Sequence, residues 1–439
     1  MTININNIKN LEKKFNFISN VSLESYEKVY NKKTIHSFLP SLKTLRGRNN
    51  NLNYPLSINT WDHKEIEAIH DVTLSQNFTM GKNVKEFEKK FANYFGSKYS
   101  IMVNSGSSAN LLMIASLVLN KDIDLNAGDE VIVPTLSWAT TYSPLQQYKL
   151  KARFVDIDID TLNIDVEKIT KAITKKTKAI FAVNVLGNPV NLIKLKKICK
   201  EHKLILIEDN CESLGAKYNK KYCGTHGIMG SFSFYFSHHI HTIEGGMIVT
   251  DNESLYQYCL SLRAHGWVRD LPNQNVLFKK NGNSFEDSFM FVLPGYNLRP
   301  NEINGRVGIE QLKKIPRIIA QRRNNAEVFK SLFMNSKIVN IQKETHESSW
   351  FGFSIILKGH LKNKRSMVLN KLKEYKIETR PIISGNFLKY PVINFMDYSV
   401  YGDLKNSEEI DNNGFFIGNN HIDLERELNY FKEVIENII

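Results

Sequence analysis

Amphipathic stretches alternate with short apolar runs over most of the chain after residue 60. One amphipathic stretch runs from Asp62 to Gln76, and Asp is a preferred residue at a helix N-terminus. The next has apolar residues three and four positions apart: Val84, Phe87, Phe91, Tyr94 and Phe95. Because this spacing follows the helical period, we predict two amphipathic helices that mark the beginning of a core.

Four of the short runs are apolar at consecutive positions rather than at alternate ones: 130–134, 179–183, 204–207 and 246–249. Strands that are covered by helices on both faces have this composition. We therefore predict an α/β fold with a mainly parallel sheet.

The pattern divides the chain into three parts. Residues 1–52 are rich in Asn, Lys and Ser with weak periodicity, which predicts an N-terminal arm. Residues 53–312 contain the alternating pattern and form the predicted large domain. After residue 312 we predict a long basic helix, a strand at 351–357, a helix at 363–375 and a strand at 377–381. This order predicts a small C-terminal α+β domain over residues 313–439.

The composition limits the class of protein. Of 439 residues, 42% are hydrophobic, which is enough for a large core and a smaller one and too much for a disordered chain. No stretch approaches the roughly 20 apolar residues that a membrane-spanning helix needs. The first 20 residues are polar and lack the apolar segment of a signal peptide. We expect a cytoplasmic protein without a membrane partner.

The net charge of +13 makes nucleic-acid binding worth considering, because a basic surface attracts polyanions. The lysines are dispersed among apolar residues, as at 194–197, in the manner of solvated helix faces. We therefore favour an interpretation without nucleic acid, and a nucleoside diphosphate substrate would also benefit from this field. The four cysteines are far apart and form no C-x-x-C pair, so we expect free thiols and no metal or cluster.

Three segments carry candidate chemistry. Gly106 and Ser107 follow a predicted strand at 100–103 and open a helix, where exposed amides and the helix dipole favour a phosphate. Such Gly-Ser turns also open many helices that bind nothing. Asp209 lies just after the apolar run 204–207, where a carboxylate either pairs with a ligand such as a pyridinium nitrogen or caps the backbone.

The third segment runs from Ser233 to the glycine pair at 245–246 and contains the adjacent residues His238 and His239. Neighbouring histidines rarely point at one ion, and no Cys or acidic partner has ligand spacing. We therefore expect no metal at these histidines.

In order and spacing, these segments resemble the DegT/DnrJ/EryC1/StrS sugar aminotransferase family of fold-type I pyridoxal 5'-phosphate enzymes. The resemblance runs from about residue 55 to the C-terminus and implies a large α/β/α domain followed by a small α+β domain. It also implies pyridoxal or pyridoxamine 5'-phosphate as cofactor. His238 stands at the position of the family's catalytic lysine. This departure is typical of the subfamily of nucleotide-sugar 3-dehydratases, which further segments also resemble: 60–62, 78–81, 378–382, 385–387 and 414–419.

The resemblance assigns roles to single residues. Gly106, Ser107 and Ser233 are expected at the cofactor phosphate. Trp138 would stack on the pyridine ring, Asp209 would bind its nitrogen, and Glu212 would lie beside it. Asn297 is similar to a residue that a neighbouring subunit lends to the phosphate, which implies a homodimer. The implied nucleotide-sugar pocket contains Phe78, Thr79, Met80, Arg380 and Asn386.

A lysine amine can bond covalently to the cofactor aldehyde, whereas an imidazole cannot. His238 would instead act as a base, for which the unperturbed histidine pKa of about 6.5 is suitable. The resemblance implies loss of the C3 hydroxyl from a GDP-linked 4-keto-6-deoxy sugar, a hexose or a heptose, with L-glutamate regenerating pyridoxamine phosphate and ammonia released. A related dehydratase uses an iron–sulfur cluster and a reductase, but residues 260–297 lack its cysteines, so we expect no such partner.

Two other functions stay open on the sequence. The first is a sugar 4-aminotransferase that makes a nucleotide amino sugar, against which the replacement of lysine by His238 argues. The second is a binding protein with an inactive site, against which the retained Trp138, Asp209 and Ser233 argue.

Overall fold

A computed structural model of the protein describes residues 54–438. The predicted N-terminal arm, residues 1–52, lies outside the described residues. Two sheets, one of eight strands and one of four, organise the described part, together with a short hairpin. No helix within these residues is both long enough and apolar enough to cross a membrane.

The helices are numbered in chain order. They are α1 (His63–Ser75), α2 (Lys82–Phe95), α3 (Gly106–Leu119), α4 (Ala139–Gln147), α5 (Val166–Ala172), α6 (Leu192–His202), α7 (Glu253–Arg263), α8 (Ser284–Ser288), α9 (Glu302–Phe333), α10 (Arg365–Glu374), α11 (Lys405–Asn413) and α12 (Glu425–Glu436).

The strands follow the same numbering. They are β1 (Tyr99–Val103), β2 (Glu130–Pro134), β3 (Lys151–Val155), β4 (Thr177–Val183), β5 (Ile205–Asp209), β6 (Lys217–Tyr218), β7 (Lys221–Tyr222), β8 (Met229–Ser233), β9 (Gly246–Thr250), β10 (Val339–Ile341), β11 (Gly352–Leu357), β12 (Thr379–Arg380), β13 (Tyr398–Tyr401) and β14 (Gly414–Gly418).

The large sheet has the order β1-β9-β8-β5-β4-β2-β3-β13. Every pair from β8 to β13 is parallel, and β9 runs antiparallel to both of its neighbours. Consecutive residues of β4 face different cores: Ala179 and Phe181 pack with helices α3 and α7, whereas Ile180 and Ala182 pack with α5 and α6. The prediction of a mainly parallel sheet covered on both faces is confirmed.

The small sheet has the order β10-β11-β14-β12 and packs against α9, α10 and α12. Phe329 of α9 stacks on Phe353 of β11 with ring centroids 4.4 Å apart, and Phe333 contacts Phe431 of α12. Aromatic rings bury large apolar areas, so these contacts tie the long helix to the sheet.

Three features of the C-terminal part differ from the predicted pattern. Helix α9 begins at Glu302, ten residues before the predicted boundary at 312, and continues across it without a break. Strand β13 follows β12 of the small sheet along the chain but belongs to the large sheet, where it pairs with the edge strand β3. The predicted strand at 377–381 is reduced to Thr379–Arg380. The helix shows no break at 312–313. The division into a large and a small domain at this position therefore stays a proposal.

Candidate active site

Asp209 is the last residue of β5, at the carboxyl edge of the large sheet, and only 6% of it is exposed. Its Oδ2 accepts hydrogen bonds from Asn110 Nδ2 at 2.7 Å and Thr141 Oγ1 at 2.8 Å, and its Oδ1 accepts one from the Cys211 amide at 3.1 Å. Among the described residues, no Lys or Arg forms an ion pair with it. A buried carboxylate with neutral donors alone favours a cationic ligand group as its partner.

The Gly-Ser turn lies beside this carboxylate. Ser105 caps α3 by accepting a hydrogen bond from the Ser108 amide at 3.0 Å, and helix geometry leaves the amides of Gly106 and Ser107 without acceptors inside the helix. A Cβ at Gly106 would lie 2.6 Å from Ser233 Cβ and 3.0 Å from Cys211 Sγ. Glycine is therefore required there, and it brings the ends of β8 and β5 against the helix N-terminus.

Trp138 lies between β2 and α4, and 60% of its surface is exposed. The neighbouring residues on α4 hold the site together: Thr140 accepts a hydrogen bond from Ser107 Oγ at 3.0 Å, and Thr141 binds Asp209. An exposed indole next to a fixed, buried frame is suited to stacking on a flat ligand.

Glu212 follows Asp209 by three residues, and its Oε2 accepts a hydrogen bond from the Leu186 amide at 3.3 Å. Burial and the nearby Asp209 together raise the pKa of Glu212 to about 7, against the lowering effects of the Leu186 amide and Arg380. This carboxyl group is thus divided between its acid and carboxylate forms near neutral pH.

His238 lies in the turn after β8, where its amide donates to the Tyr235 carbonyl at 2.9 Å. Its ring contacts the edges of Tyr235 and Phe351, with centroids 6.1 Å and 5.2 Å away, and its Nδ1 is buried without a hydrogen-bond partner among the described residues. Helix α9 fixes the rest of the turn, because Asn304 Nδ2 donates to the Thr242 carbonyl at 2.6 Å.

The sequence suggested that His238 would have the ordinary histidine pKa, and the structure differs. Burial first, and then the positive charges of Arg322 and Arg380, lower the pKa of His238 to about 3. The imidazole is therefore neutral at pH 7 and able to accept a proton, although it is a weaker base than an exposed histidine.

The segment 78–80 lies at the N-termini of α2 and α9. The Phe78 carbonyl accepts a hydrogen bond from the Glu302 amide at 2.9 Å, Thr79 pairs with Asn301, and Met80 packs on the core between α2 and α9. Phe78 is 48% exposed. The described contacts of this segment are with α9 rather than with the group around Asp209.

The remaining predicted site residues lie in three separate surroundings. Arg380 is exposed on β12 and lies near enough to Glu212 and His238 to influence both charges. Asn386 is buried, and its Oδ1 accepts from the Leu388 amide at 3.1 Å, so it also caps a short turn. Asn297 is exposed and accepts from Arg299 Nε at 3.1 Å. Among the described residues, the side-chain hydrogen bond of Asn297 is with Arg299 rather than with a member of the group around Asp209.

Three side chains of the site were missed from the sequence. Asn110 and Thr141 bind Asp209; Asn110 lies four residues after Gly106 in the helix that this glycine was predicted to open, and Thr141 lies three residues after Trp138. That spacing is the signal that could have found them. Arg322 lies on α9, more than 80 residues from His238, and no local pattern marks it.

The donor set fits a pyridoxal-type cofactor. Gly106, Ser107 and Ser233 form a cradle that a Cβ at Gly106 would fill, the free Asp209 carboxylate matches a pyridinium N–H, and Trp138 offers a flat face. In residues 54–438, no three or more His, Cys, Asp or Glu side chains are grouped so that they could hold a metal ion.

Residues 59–431 match the DegT/DnrJ/EryC1/StrS aminotransferase family. The GDP-4-keto-6-deoxy-D-mannose 3-dehydratase of Yersinia pseudotuberculosis is 54% identical over 379 residues, which cover 86% of this chain and 96% of that protein. A crystal structure of a mutant GDP-4-keto-6-deoxymannose-3-dehydratase with bound GDP-perosamine has 53% sequence identity and a TM-score of 0.86, over 87% of this chain and 100% of that chain. A second structure of that enzyme, with a trapped PLP-glutamate geminal diamine, has a TM-score of 0.85 at 53% identity and covers the same shares.

Proposed function

Because the chain belongs to the DegT/DnrJ/EryC1/StrS aminotransferase family, we propose that it is a pyridoxal- or pyridoxamine-phosphate-dependent 3-dehydratase of a GDP-linked 4-keto-6-deoxy sugar. The observation that carries this proposal is His238. The turn from 233 to 246 contains no lysine, so its only ring or amine bases are histidines. Without a lysine amine, the turn cannot hold the cofactor covalently, and it offers an imidazole as a base instead.

Gly106, Ser107 and Ser233 would hold the cofactor phosphate through backbone amides and hydroxyl groups. Asp209 would bind the pyridine nitrogen, kept in place by Asn110 and Thr141. When bound, the cofactor supplies an amine that reacts with a sugar carbonyl and a ring that withdraws electrons. This cofactor class agrees with the pyridoxal phosphate in the 53% identical structures.

The proton transfers follow from the opposite pKa shifts of His238 and Glu212. His238 is neutral at pH 7 and would take a proton at its unpartnered Nδ1 or at Nε2, whereas Glu212, with a pKa of about 7, would donate a proton from the acid form that part of the molecules carry near neutral pH. Environments that separate two pKa values in this way are typical of a base and an acid in one site. We assign His238 as the base and Glu212 as a proton donor beside it.

The substrates are proposed from the relatives together with the charge of the chain. The relatives are GDP-4-keto-6-deoxymannose 3-dehydratases, one holding GDP-perosamine and another holding a PLP-glutamate adduct. A net charge of +13 favours a diphosphate-linked sugar, and Arg380 is exposed and free to meet an anion. Phe78, Thr79, Met80 and Asn386 stay candidate sugar or nucleotide contacts, and L-glutamate is the proposed amino donor.

We also propose a homodimer as the active unit. Asn297 is exposed on a loop, and its side chain meets Arg299 of the same chain and no group of the site around Asp209. A second copy would bring this loop to the partner's phosphate cradle through an isologous interface.

Product analysis tests the proposed function. The protein is incubated with pyridoxal phosphate, L-glutamate and GDP-4-keto-6-deoxymannose, and the nucleotide sugars are analysed by mass spectrometry. We expect a product that has lost one oxygen atom, together with released ammonia and 2-oxoglutarate. A product in which the keto oxygen is replaced by an amino group would instead identify a sugar 4-aminotransferase.

A further inference from the structure

Asp209 is joined to the loop after β12 by three buried hydroxyl side chains. Thr141 Oγ1 donates to Asp209 Oδ2 at 2.8 Å, and Ser137 Oγ lies 2.7 Å from Thr141 Oγ1. Ser384 Oγ donates to the Ser137 carbonyl at 2.5 Å. None of these four residues is more than 8% exposed. Direct contacts thus connect the carboxylate with a loop that is far from it in sequence.

The available hydrogen atoms fix the direction of these bonds. An ionised carboxylate only accepts hydrogen bonds, so the single hydroxyl hydrogen of Thr141 is given to Asp209. Thr141 Oγ1 must then accept at its contact with Ser137, and the Ser137 hydroxyl is the donor. We call Ser384, Ser137 and Thr141 the hydroxyl relay, and each of its donors polarises the next one toward the carboxylate.

The two oxygens of Asp209 differ in how fully they are bonded. Oδ2 accepts from Asn110 Nδ2 at 2.7 Å as well as from Thr141, so it has two close donors. Oδ1 has one close donor, the Cys211 amide at 3.1 Å, and Ser231 Oγ lies 3.5 Å away. A carboxylate oxygen offers about two acceptor positions, so Oδ1 has room for the N–H of a bound ring.

The far end of the relay lies in a loop that is fastened to the large domain. Besides the bond of Ser384, the Phe387 amide donates to the carbonyl of Thr135, directly after β2, at 3.1 Å. Between β12 and these contacts, Ile383 has a positive φ of 47°, which a β-branched residue rarely adopts. The loop therefore has one defined shape, and it includes the candidate substrate contact Asn386.

We propose that Ser384, Ser137 and Thr141 are positioning residues that act through Asp209 and keep a proton on the pyridine nitrogen of the cofactor. This inference rests on the proposed function, in which Asp209 binds that nitrogen. It gives the loop after β12 a second role, because the loop would set how strongly the ring withdraws electrons.

The direction of the effect follows from the burial of the site. In a buried pair, the neutral arrangement with the proton on the carboxyl group competes with the ionic arrangement with the proton on the ring nitrogen. Hydrogen bonds to a carboxylate favour its charged form. The donors Thr141 and Asn110 thus favour a protonated ring, and losing one of them shifts the proton toward Asp209.

The first test compares two substitutions at Thr141. Thr141→Val keeps the shape of the side chain and loses the hydroxyl group, whereas Thr141→Ser keeps the hydroxyl group and loses the methyl group. Full-length protein is loaded with pyridoxal phosphate that carries ¹⁵N in its ring, and solid-state NMR reads the nitrogen signal. We expect a protonated ring in the wild type and in Thr141→Ser, and a shift toward the unprotonated ring in Thr141→Val.

Kinetics supply a second measurement. Thr141→Val should lower kcat by about 10- to 100-fold, as expected for losing a hydrogen bond to a charged group, and change the KM for the nucleotide sugar by less than about threefold. Thr141→Ser should stay within about threefold of the wild type. The matched control is Ser143→Ala, which removes a hydroxyl that donates to the Ala139 carbonyl of the same helix and should keep the wild-type rate. A packing role predicts the opposite order, with Val tolerated and Ser impaired, and would overturn the proposal.

The outer members of the relay should have smaller effects in the same direction. Ser137→Ala removes the donor to Thr141, and Ser384→Ala frees the Ser137 carbonyl. We expect each to lower kcat by about two- to tenfold and to move the ring signal toward the unprotonated form. If both variants match Ser143→Ala in rate and in ring signal, the loop is not coupled to Asp209 and the proposal is overturned.

The ring signal is measured without sugar or glutamate, so it decides this inference whether the protein dehydrates or aminates its substrate. An unprotonated ring in the wild type would overturn the inference and leave the product analysis as the test of the proposed function. Circular dichroism shows whether each variant folds. If Thr141→Val does not fold, Ser137→Ala and Ser384→Ala decide.

Discussion

His238 and Glu212 have pKa shifts of opposite sign, and both lie near Arg380. The sequence singled out these two residues through the family resemblance alone. It could not predict their basicity, because the pKa values of both residues are shifted first by burial and then by charges distant in sequence, and both exist only after folding. Asn110 and Thr141 were missed for a related reason. Only the folded structure shows that their side chains point from their helices to Asp209.

Replacing His238 by Asn should leave cofactor binding intact and slow dehydration by about 10²- to 10⁴-fold, the range typical of losing a general base. The cofactor is held by other residues, so its absorbance on titration should match the wild type. Single-turnover assays measure the rate. Native-rate dehydration by His238→Asn would mean that another group takes the proton.

Replacing Asp209 by Asn should lower turnover by at least about 10²-fold, because a neutral amide cannot stabilise a protonated pyridine nitrogen. The absorbance spectrum of the bound cofactor should change as well. Asp251→Asn, which alters an exposed aspartate after β9, is the control and should keep the wild-type rate. If Asp209→Asn kept most of the activity, the cofactor nitrogen would lie elsewhere.

At the scale of helices and strands, the predicted ends of elements were most accurate where the apolar periodicity and a capping residue indicate the same position. The capping box of α1, formed by Asp62 and Glu65, begins that helix where it was predicted, and β2 matches its apolar run. Element ends set by distant contacts were less predictable. Helix α2 begins at Lys82 after the cap residue Gly81, which has no side chain to accept a hydrogen bond, and Glu302 of α9 caps the helix instead.

Replacing Glu302 by Gln should lower the free energy of unfolding by about 1–3 kcal/mol, since a buried carboxylate that accepts several hydrogen bonds is lost. Its oxygens accept from the amides of Gly81, Asn83 and Val84 at 2.8 to 3.1 Å. Urea unfolding followed by circular dichroism measures the change. Glu86→Gln, which removes an exposed pair with Lys90 on α2, should change stability by less than about 0.5 kcal/mol. Equal effects of the two substitutions would contradict the capping role.

At the scale of the whole molecule, the sequence predicted a large and a small domain but not how they are joined. The long helix α9 packs on α2 at one end and on the small sheet at the other, and no composition change marks the passage. Strand β13 pairs in parallel with β3 at the edge of the large sheet. Pairing between strands so distant in sequence leaves no local signal in either.

The proposed homodimer can be tested by complementation. Asn297→Ala and His238→Asn should each be nearly inactive alone. Mixed dimers should regain activity, because one of their two sites would combine His238 of one chain with Asn297 of the other. Dissociation and reassociation at equal concentrations, followed by assay and sedimentation, measure this. If Asn297 served the site of its own chain, the mixture would stay inactive.

The pairing of β13 with β3 also bears on the order of events during synthesis. Strand β3 is complete at Val155, but Tyr398–Tyr401 leaves the ribosome only some 240 residues later. Until then the nascent chain has an unpaired edge strand, which invites pairing with other chains. A ribosome-bound chaperone that covers this edge should therefore raise the yield of full-length protein, and truncation before residue 398 should favour aggregation.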